Sequence, residues 1–271
     1  MPYIREKITA GKQKEVKVYH AYKYQSKKTS RSKNIKITAE EMAKINTYNA
    51  ERKLRILLNA NFKENDFYLT LTYKDKTPDA AEAKSYLTKF VRKLRVFYKK
   101  IGSVLKYIAV TEYKKKRIHH HMIINANAKI KFPVFGFFGK SDIEILWGHG
   151  FCKVELFGGQ PEDCKRLANY FIKETNNTFN TDERVHGLRW ISSKNLVHPV
   201  PETKIVKADT WREDPKADKG YYIDQSSVKT WRTNDGYMCQ FYRMIKLEPT
   251  DYRNYRAGGR KHGKVHARSD N

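Results

Sequence analysis

The sequence predicts an α+β fold with a largely antiparallel central sheet and flanking helices. Three observations carry this. From residue 67 onward, strand-type and helix-type segments follow one another as strand, helix, strand, strand, strand, helix. Two of the strands are separated only by the short basic turn "KKKR", which suits antiparallel neighbours. The helical segment over 80–100 has apolar residues on one side and basic residues on the other, the pattern of a helix packed on a sheet.

The elements follow in order. Residues 1–36 contain eleven Lys/Arg and two Glu, about +9, and read as a basic arm with a short strand in "EVKVYHAYKY". Thr38 and Glu41 form a capping box, in which each side chain caps the other's backbone N–H and starts a helix. Met42, Ile45, Leu54, Leu57 and Leu58 give that helix a rough apolar stripe. "FYLTLTY", 67–73, alternates Phe67, Leu69, Leu71 and Tyr73 against Tyr68, Thr70 and Thr72, so it is a strand with one apolar face. Ala83, Leu87, Phe90, Leu94 and Phe97 are at helical spacing. "SVLKYIAVTEY" and "IHHHMIIN" are strands, and "FGKSDIEILWGHG" is a loop with a short helix. "FCKVELF" is a strand, and Pro161 opens the helix "PEDCKRLANYFIKET" with acidic residues in its first turn. Residues 37–185 make the central domain, and 186–271 an aromatic-rich extension ending in a basic, Gly-rich tail that reads as disordered.

Composition narrows the partners. Lys+Arg is 55 against Asp+Glu 29, a formal charge of +26, which argues for a polyanion and first of all for nucleic acid. No apolar run is long enough to span a membrane, and the N-terminus lacks the apolar core of a signal peptide. Cys152, Cys164 and Cys239 form no C-x-x-C pair and read as reduced cysteines of a cytoplasmic protein. "GFFGKS", 136–141, is not a P-loop. Val134 stands where the first glycine is needed, and Ser141 with Glu144 reads instead as a helix start.

The chemistry centres on "RIHHHMIIN", 117–125. Side chains alternate along a strand, so His119 and His121 share a face and His120 points the other way. His120 lies with Ile118, Met122 and Ile124 on the apolar face, which makes His119 and His121 the outward pair. With 115 and 116 at the hairpin tip, paired positions sum to 231 and Glu112 faces His119, at about 5 Å between Cβ atoms. One carboxylate and two imidazoles on one face form a donor set for a divalent cation. A phosphate-contacting basic patch is the rival reading of the same run.

Together these motifs resemble the HUH endonucleases, specifically the rolling-circle replication initiators of phages and plasmids. "FYLTLTY" resembles the family's first motif, "HHH" at 119–121 its His-hydrophobe-His motif, and "YFIK" at 170–173 its Tyr-x-x-Lys motif. "WISSKNLVHP", 190–199, is similar to a segment that follows the nuclease domain in phage-type initiators. The resemblance covers roughly 40–200. It departs at His120, where the family usually has a bulky hydrophobe.

The resemblance implies a nuclease core of the ferredoxin or RRM-like type, acting in a bacterial host cell. It also implies a tyrosine nucleophile, Tyr170, with Lys173 beside it to stabilise the phenolate. His119, His121 and Glu112 would be the ligands of a divalent metal, Mg²⁺ or Mn²⁺. DNA contacts are expected at Thr70 and Thr72, and at Lys114, Lys115, Lys116 and Arg117 around the hairpin tip. The partners would be single-stranded DNA at a replication origin, a host helicase and a DNA polymerase, with no membrane. Glu174 stands where some relatives carry a second tyrosine, so the implied enzyme has one. An HUH transposase or relaxase and a non-catalytic single-stranded nucleic-acid binder are the alternatives.

Overall fold

A computed structural model describes residues 3–20, 38–74, 78–114, 117–131, 141–179, 188–207, 213–233 and 236–248. Among these, the strands are β1 (Tyr3–Ala10), β2 (Gln13–His20), β3 (Phe67–Leu71), β4 (Tyr107–Lys114) and β5 (Arg117–Ile124). They continue with β6 (Cys152–Leu156), β7 (Ile191–Ser192), β8 (Glu202–Val206), β9 (Tyr221–Arg232) and β10 (Met238–Lys246). The helices are α1 (Ala39–Asn61), α2 (Ala80–Lys100), α3 (Asp142–Trp147) and α4 (Pro161–Phe179). The class is α+β, with two five-stranded antiparallel sheets. The chain divides into two units, residues 33–199 and residues 1–32 with 200–271.

The larger unit holds the sheet β6-β3-β5-β4-β7. The His-rich strand β5 is its centre, paired with β3 on one side and β4 on the other. The β4–β5 register is the expected one, with Glu112 opposite His119 and Tyr113 opposite Ile118. Both faces of the sheet are covered. On one, α2 and α3 bury Leu87, Phe90, Leu94 and Trp147 against Leu69, Ala109 and Met122. On the other, Leu54, Leu58, Ala168 and Phe171 from α1 and α4 pack on Ile108, Val110 and Ile123. The face of His119 and His121 is therefore not an outward one, as the apolar pattern of β5 alone suggests. Ile123 lies on it, and a helix layer completes its core.

The caps read from sequence form as expected. Thr38 accepts from the Glu41 N–H at 3.1 Å, and Glu41 accepts from the Thr38 N–H at 2.9 Å. Asp79 and Glu82 repeat this reciprocal cap at α2. Ser141 caps α3 by accepting from the Glu144 N–H. The apolar stripe of α1 is buried only from Leu54 onward, and Met42 and Ile45 remain exposed. A 23-residue helix is about 35 Å long, more than a five- to eight-residue strand can cover.

The smaller unit joins the two ends of the chain. Where an arm is expected over 1–36, β1 and β2 form a hairpin. It pairs with β8 on one side and β10 on the other, giving β8-β1-β2-β10-β9. Neither a lone hairpin nor three C-terminal strands bury enough apolar surface, so the sheet forms only by non-local pairing. Tyr3, Val16, Val18, Tyr242 and Met244 make its small core. Residues 21–37 and the expected disordered tail, 249–271, lie outside the described residues.

On this core face Asp218 accepts from Lys14 Nζ at 2.8 Å and lies 3.7 Å from Lys7 and 3.9 Å from Arg5. The hydrogen bond from Lys14, with the nearby cations, holds its carboxyl below its ordinary pKa. A carboxyl depressed in the folded state stabilises above its unfolded pKa and loses that contribution as pH falls through the folded one. Asp218→Asn should therefore lower stability by about 1 kcal/mol at neutral pH. Urea midpoints should show the difference shrinking towards zero below about pH 3.

Candidate active site

Four side chains on the α1/α4 face of the larger sheet converge on His121. His121 lies on β5 directly opposite Thr70 on β3 and Val110 on β4. Its Nε2 is 3.0 Å from Glu112 Oε2. Tyr170, on the flank of α4, places its hydroxyl 3.0 Å from the same Nε2 and donates to Glu112 Oε2 at 3.1 Å. The phenol ring stands edge-on to the imidazole, at 84°. On the other ring edge, Nδ1 is 2.8 Å from the Tyr68 hydroxyl and 3.4 Å from that of Thr70.

Local sequence explains the placement. Tyr68 and Thr70 alternate with Phe67, Leu69 and Leu71, so the polar residues of β3 face α4 while the apolar ones face α2. Ala168, Phe171 and Ile172 anchor α4 in the core, and Tyr170 projects from the edge of that stripe. Glu174 follows one helical turn later and hydrogen-bonds Glu112.

The electrostatics are those of a buried carboxylate beside neutral phenols. Burial works to raise the Glu112 pKa, but hydrogen bonds with Glu174, His121 and Tyr170 outweigh it and hold the carboxyl below its ordinary value. Burial raises the Tyr170 pKa, and the adjacent Glu112 charge raises it further. Tyr170 is thus a neutral hydrogen-bond donor here, and positive charge would be needed to make it a phenolate.

The sequence-derived residues are not all gathered. His119 is half-buried on the same face as His121 and opposite Glu112. Among the described residues, no group of three or more His, Cys, Asp and Glu side chains is arranged to hold a metal ion. Glu112 Oε2 and His121 Nε2 form a hydrogen-bonded pair. Their 3.0 Å separation is that of adjacent positions about a six-coordinate ion with bonds of about 2.1 Å. Lys173 is exposed and lines a groove of about 620 Å³ between α4 and α1, with Lys44, Tyr48 and Asn169. Three positions along a helix turn a side chain by about 60°, so Lys173 neighbours Tyr170 on α4 but opens onto the groove beside α1.

Among the expected DNA contacts, Thr70 joins the His121 cluster. The Thr72 hydroxyl instead donates to the Phe151 carbonyl at 3.1 Å. Arg117 is exposed at the start of β5, opposite Lys114 at the end of β4. Lys115 and Lys116 lie outside the described residues. Tyr68 was not anticipated, because only the β3–β5 register shows which residue of β5 it meets.

His120 is distinct. It is fully buried, with Nε2 2.7 Å from the Tyr73 hydroxyl and Nδ1 2.9 Å from that of Thr111. Trp147 stands edge-on to it, at 79°. Both nitrogens are satisfied, so His120 is a partnered core residue. Cys152, Cys164 and Cys239 are buried and free, and burial pushes the first two thiols up to about 12. No helix among the described residues is long and apolar enough to cross a membrane.

Residues 66–179 match the family model of the replication-associated protein ORF2/G2P, and this span contains every side chain of the His121 cluster. No curated protein and no solved structure matches the chain.

Removing the Tyr73 hydroxyl should expose the structural role of His120. Tyr73→Phe should cost about 1–3 kcal/mol by leaving a buried imidazole nitrogen unpaired. Chemical denaturation should register that loss, while titration of Tyr170 and His121 stays unchanged.

Proposed function

We propose that the protein is a single-tyrosine DNA nicking and joining endonuclease that initiates rolling-circle replication. The observation that carries this reading is the Tyr170 hydroxyl lying 3.0 Å from His121 Nε2 and 3.1 Å from Glu112 Oε2. It lies within a segment matching a replication-associated family, in a chain of net charge +26.

In this reaction the Tyr170 oxygen attacks a phosphorus of single-stranded origin DNA. A new O–P bond forms, the bond from phosphorus to the 3′ oxygen breaks, and the proton lost by tyrosine is balanced by the one gained at the 3′-OH. The 5′ phosphate stays on the enzyme as a phosphotyrosine, so rejoining needs no ATP. The free 3′-OH primes a host DNA polymerase, and a host helicase opens the duplex.

Glu112 and His121 would hold a divalent cation, Mg²⁺ or Mn²⁺, with His119 from the same face of β5 as the third ligand. Such an ion supplies the positive charge that neutralises a phenolate and polarises a non-bridging phosphate oxygen. Lys173, Arg117 and the hairpin-tip lysines would contact phosphates of the bound strand.

With Mg²⁺ or Mn²⁺ and a single-stranded origin oligonucleotide, the purified protein should form an adduct that survives SDS electrophoresis. Tyr170→Phe should abolish it, and an undiminished adduct in that variant would show that the nucleophile is misassigned. The double variant His119→Ala with His121→Ala should weaken Mn²⁺ binding by about 100-fold or more. Unchanged affinity by calorimetry would sink the metal assignment.

A further inference from the structure

A histidine that donates a lone pair through Nε2 must carry its ring proton on Nδ1. The group facing Nδ1 therefore decides whether that state is allowed. A backbone carbonyl or a carboxylate there would favour it permanently. In this protein Nδ1 of His121 faces hydroxyls, Tyr68 at 2.8 Å and Thr70 at 3.4 Å. A hydroxyl donates or accepts, according to how its O–H is rotated.

The opposite edge of the ring imposes two different demands. Glu112 Oε2, 3.0 Å away, can only accept, so it favours an Nε2–H, and in the neutral ring this leaves Nδ1 bare and in need of a donor. A cation, or the proton of Tyr170, needs the Nε2 lone pair, which puts the proton on Nδ1 and requires an acceptor there. The Tyr68 phenol meets both demands without moving its ring. Thr70, at 3.4 Å, is the longer and weaker of the two partners.

The ring of Tyr68 is held for this task. It lies parallel to the imidazole, at 8° with centroids 6.0 Å apart, and packs on Phe171 of α4 at 6.4 Å. Burial raises its pKa, so it stays a neutral O–H that both donates and accepts. His120, by contrast, has hydroxyl partners on both nitrogens, Tyr73 and Thr111.

We propose that Tyr68 is a positioning residue whose phenol lets His121 exchange between its two neutral tautomers while the ring stays fixed. When Nε2 is engaged as a lone-pair donor, it releases its proton to water and Nδ1 takes one up. The net charge is unchanged and the Tyr68 O–H turns from donor to acceptor. This rests on the proposed use of His121 through Nε2.

The test uses the full chain with ¹⁵N-labelled histidine. In the wild type, adding Mg²⁺ should move the His121 proton from Nε2 to Nδ1 in long-range ¹H–¹⁵N spectra. Failure of that exchange in a protein that binds Mg²⁺ overturns the proposal without any variant. In Tyr68→Phe, which keeps the ring packing, the Nδ1–H form should be depleted. Mn²⁺ affinity should fall by about 10- to 100-fold with little change in melting temperature. An unaltered tautomer response and an affinity within about twofold of wild type would equally overturn it. A wild type that binds neither ion sinks the metal reading of the site, and this inference with it. A wild type that binds metal and exchanges tautomers but forms no DNA adduct sinks only the nicking activity.

Discussion

The pairing of β4 with β5 in a single register is the constraint on which the rest of the site depends. It sets Glu112 across from His119 and brings Glu112 and His121 to one face of the sheet. Because strand side chains alternate, a slip of β5 by one residue would leave His120 alone on the face of Glu112 and send two imidazoles into the α2 core. The slip is resisted from both sides. Met122 and Ile124 are buried in one core, while Ile123 is buried in the other. The hydrophobic contacts that stabilise the domain therefore also set the geometry of its polar cluster.

The two histidines bonded by ring nitrogens show how similar partners give different roles. His120 has a tyrosine and a threonine hydroxyl, both on its own side of the sheet, and is closed off. His121 also has a tyrosine and a threonine at one nitrogen, but its other nitrogen meets a carboxylate and a second phenol. The buried Glu112 charge is what distinguishes that edge. Together with burial it holds Tyr170 neutral as a donor.

The smaller unit illustrates a limit of local reading. Its first two strands and its last three are separated by more than 180 residues, and backbone hydrogen bonds and a small shared core join them into one sheet. A basic, sparsely apolar hairpin resembles a tail until its partner strands are known. Buried residues lie on both faces of this sheet, Ile4 and Ile8 opposite Tyr3, Val16 and Val18, so the sequence shows weak alternation there.

Much of the larger unit was legible beforehand, because its signals are local. The capping boxes at Thr38, the alternation of 67–71, the helical stripe of 80–100 and the hairpin around 115–116 each involve residues close in the chain. The sum of 231 follows from a short turn, so Glu112 could be placed opposite His119 without coordinates. The resemblance of three ordered motifs singled out Tyr170 among 18 tyrosines. Tertiary structure alone decided that α1 and α4 cover the histidine face, that Tyr170 meets His121 and Glu112, and that Lys173 lines the groove beside α1. It alone brought Tyr68 to Nδ1 of His121, since β3 and β5 lie some 50 residues apart and no short turn sets their register. Neighbours along the chain are determined by backbone geometry, which sequence pattern encodes. Neighbours across a sheet or between a helix and a sheet are chosen by how whole surfaces pack, and no local pattern encodes that choice.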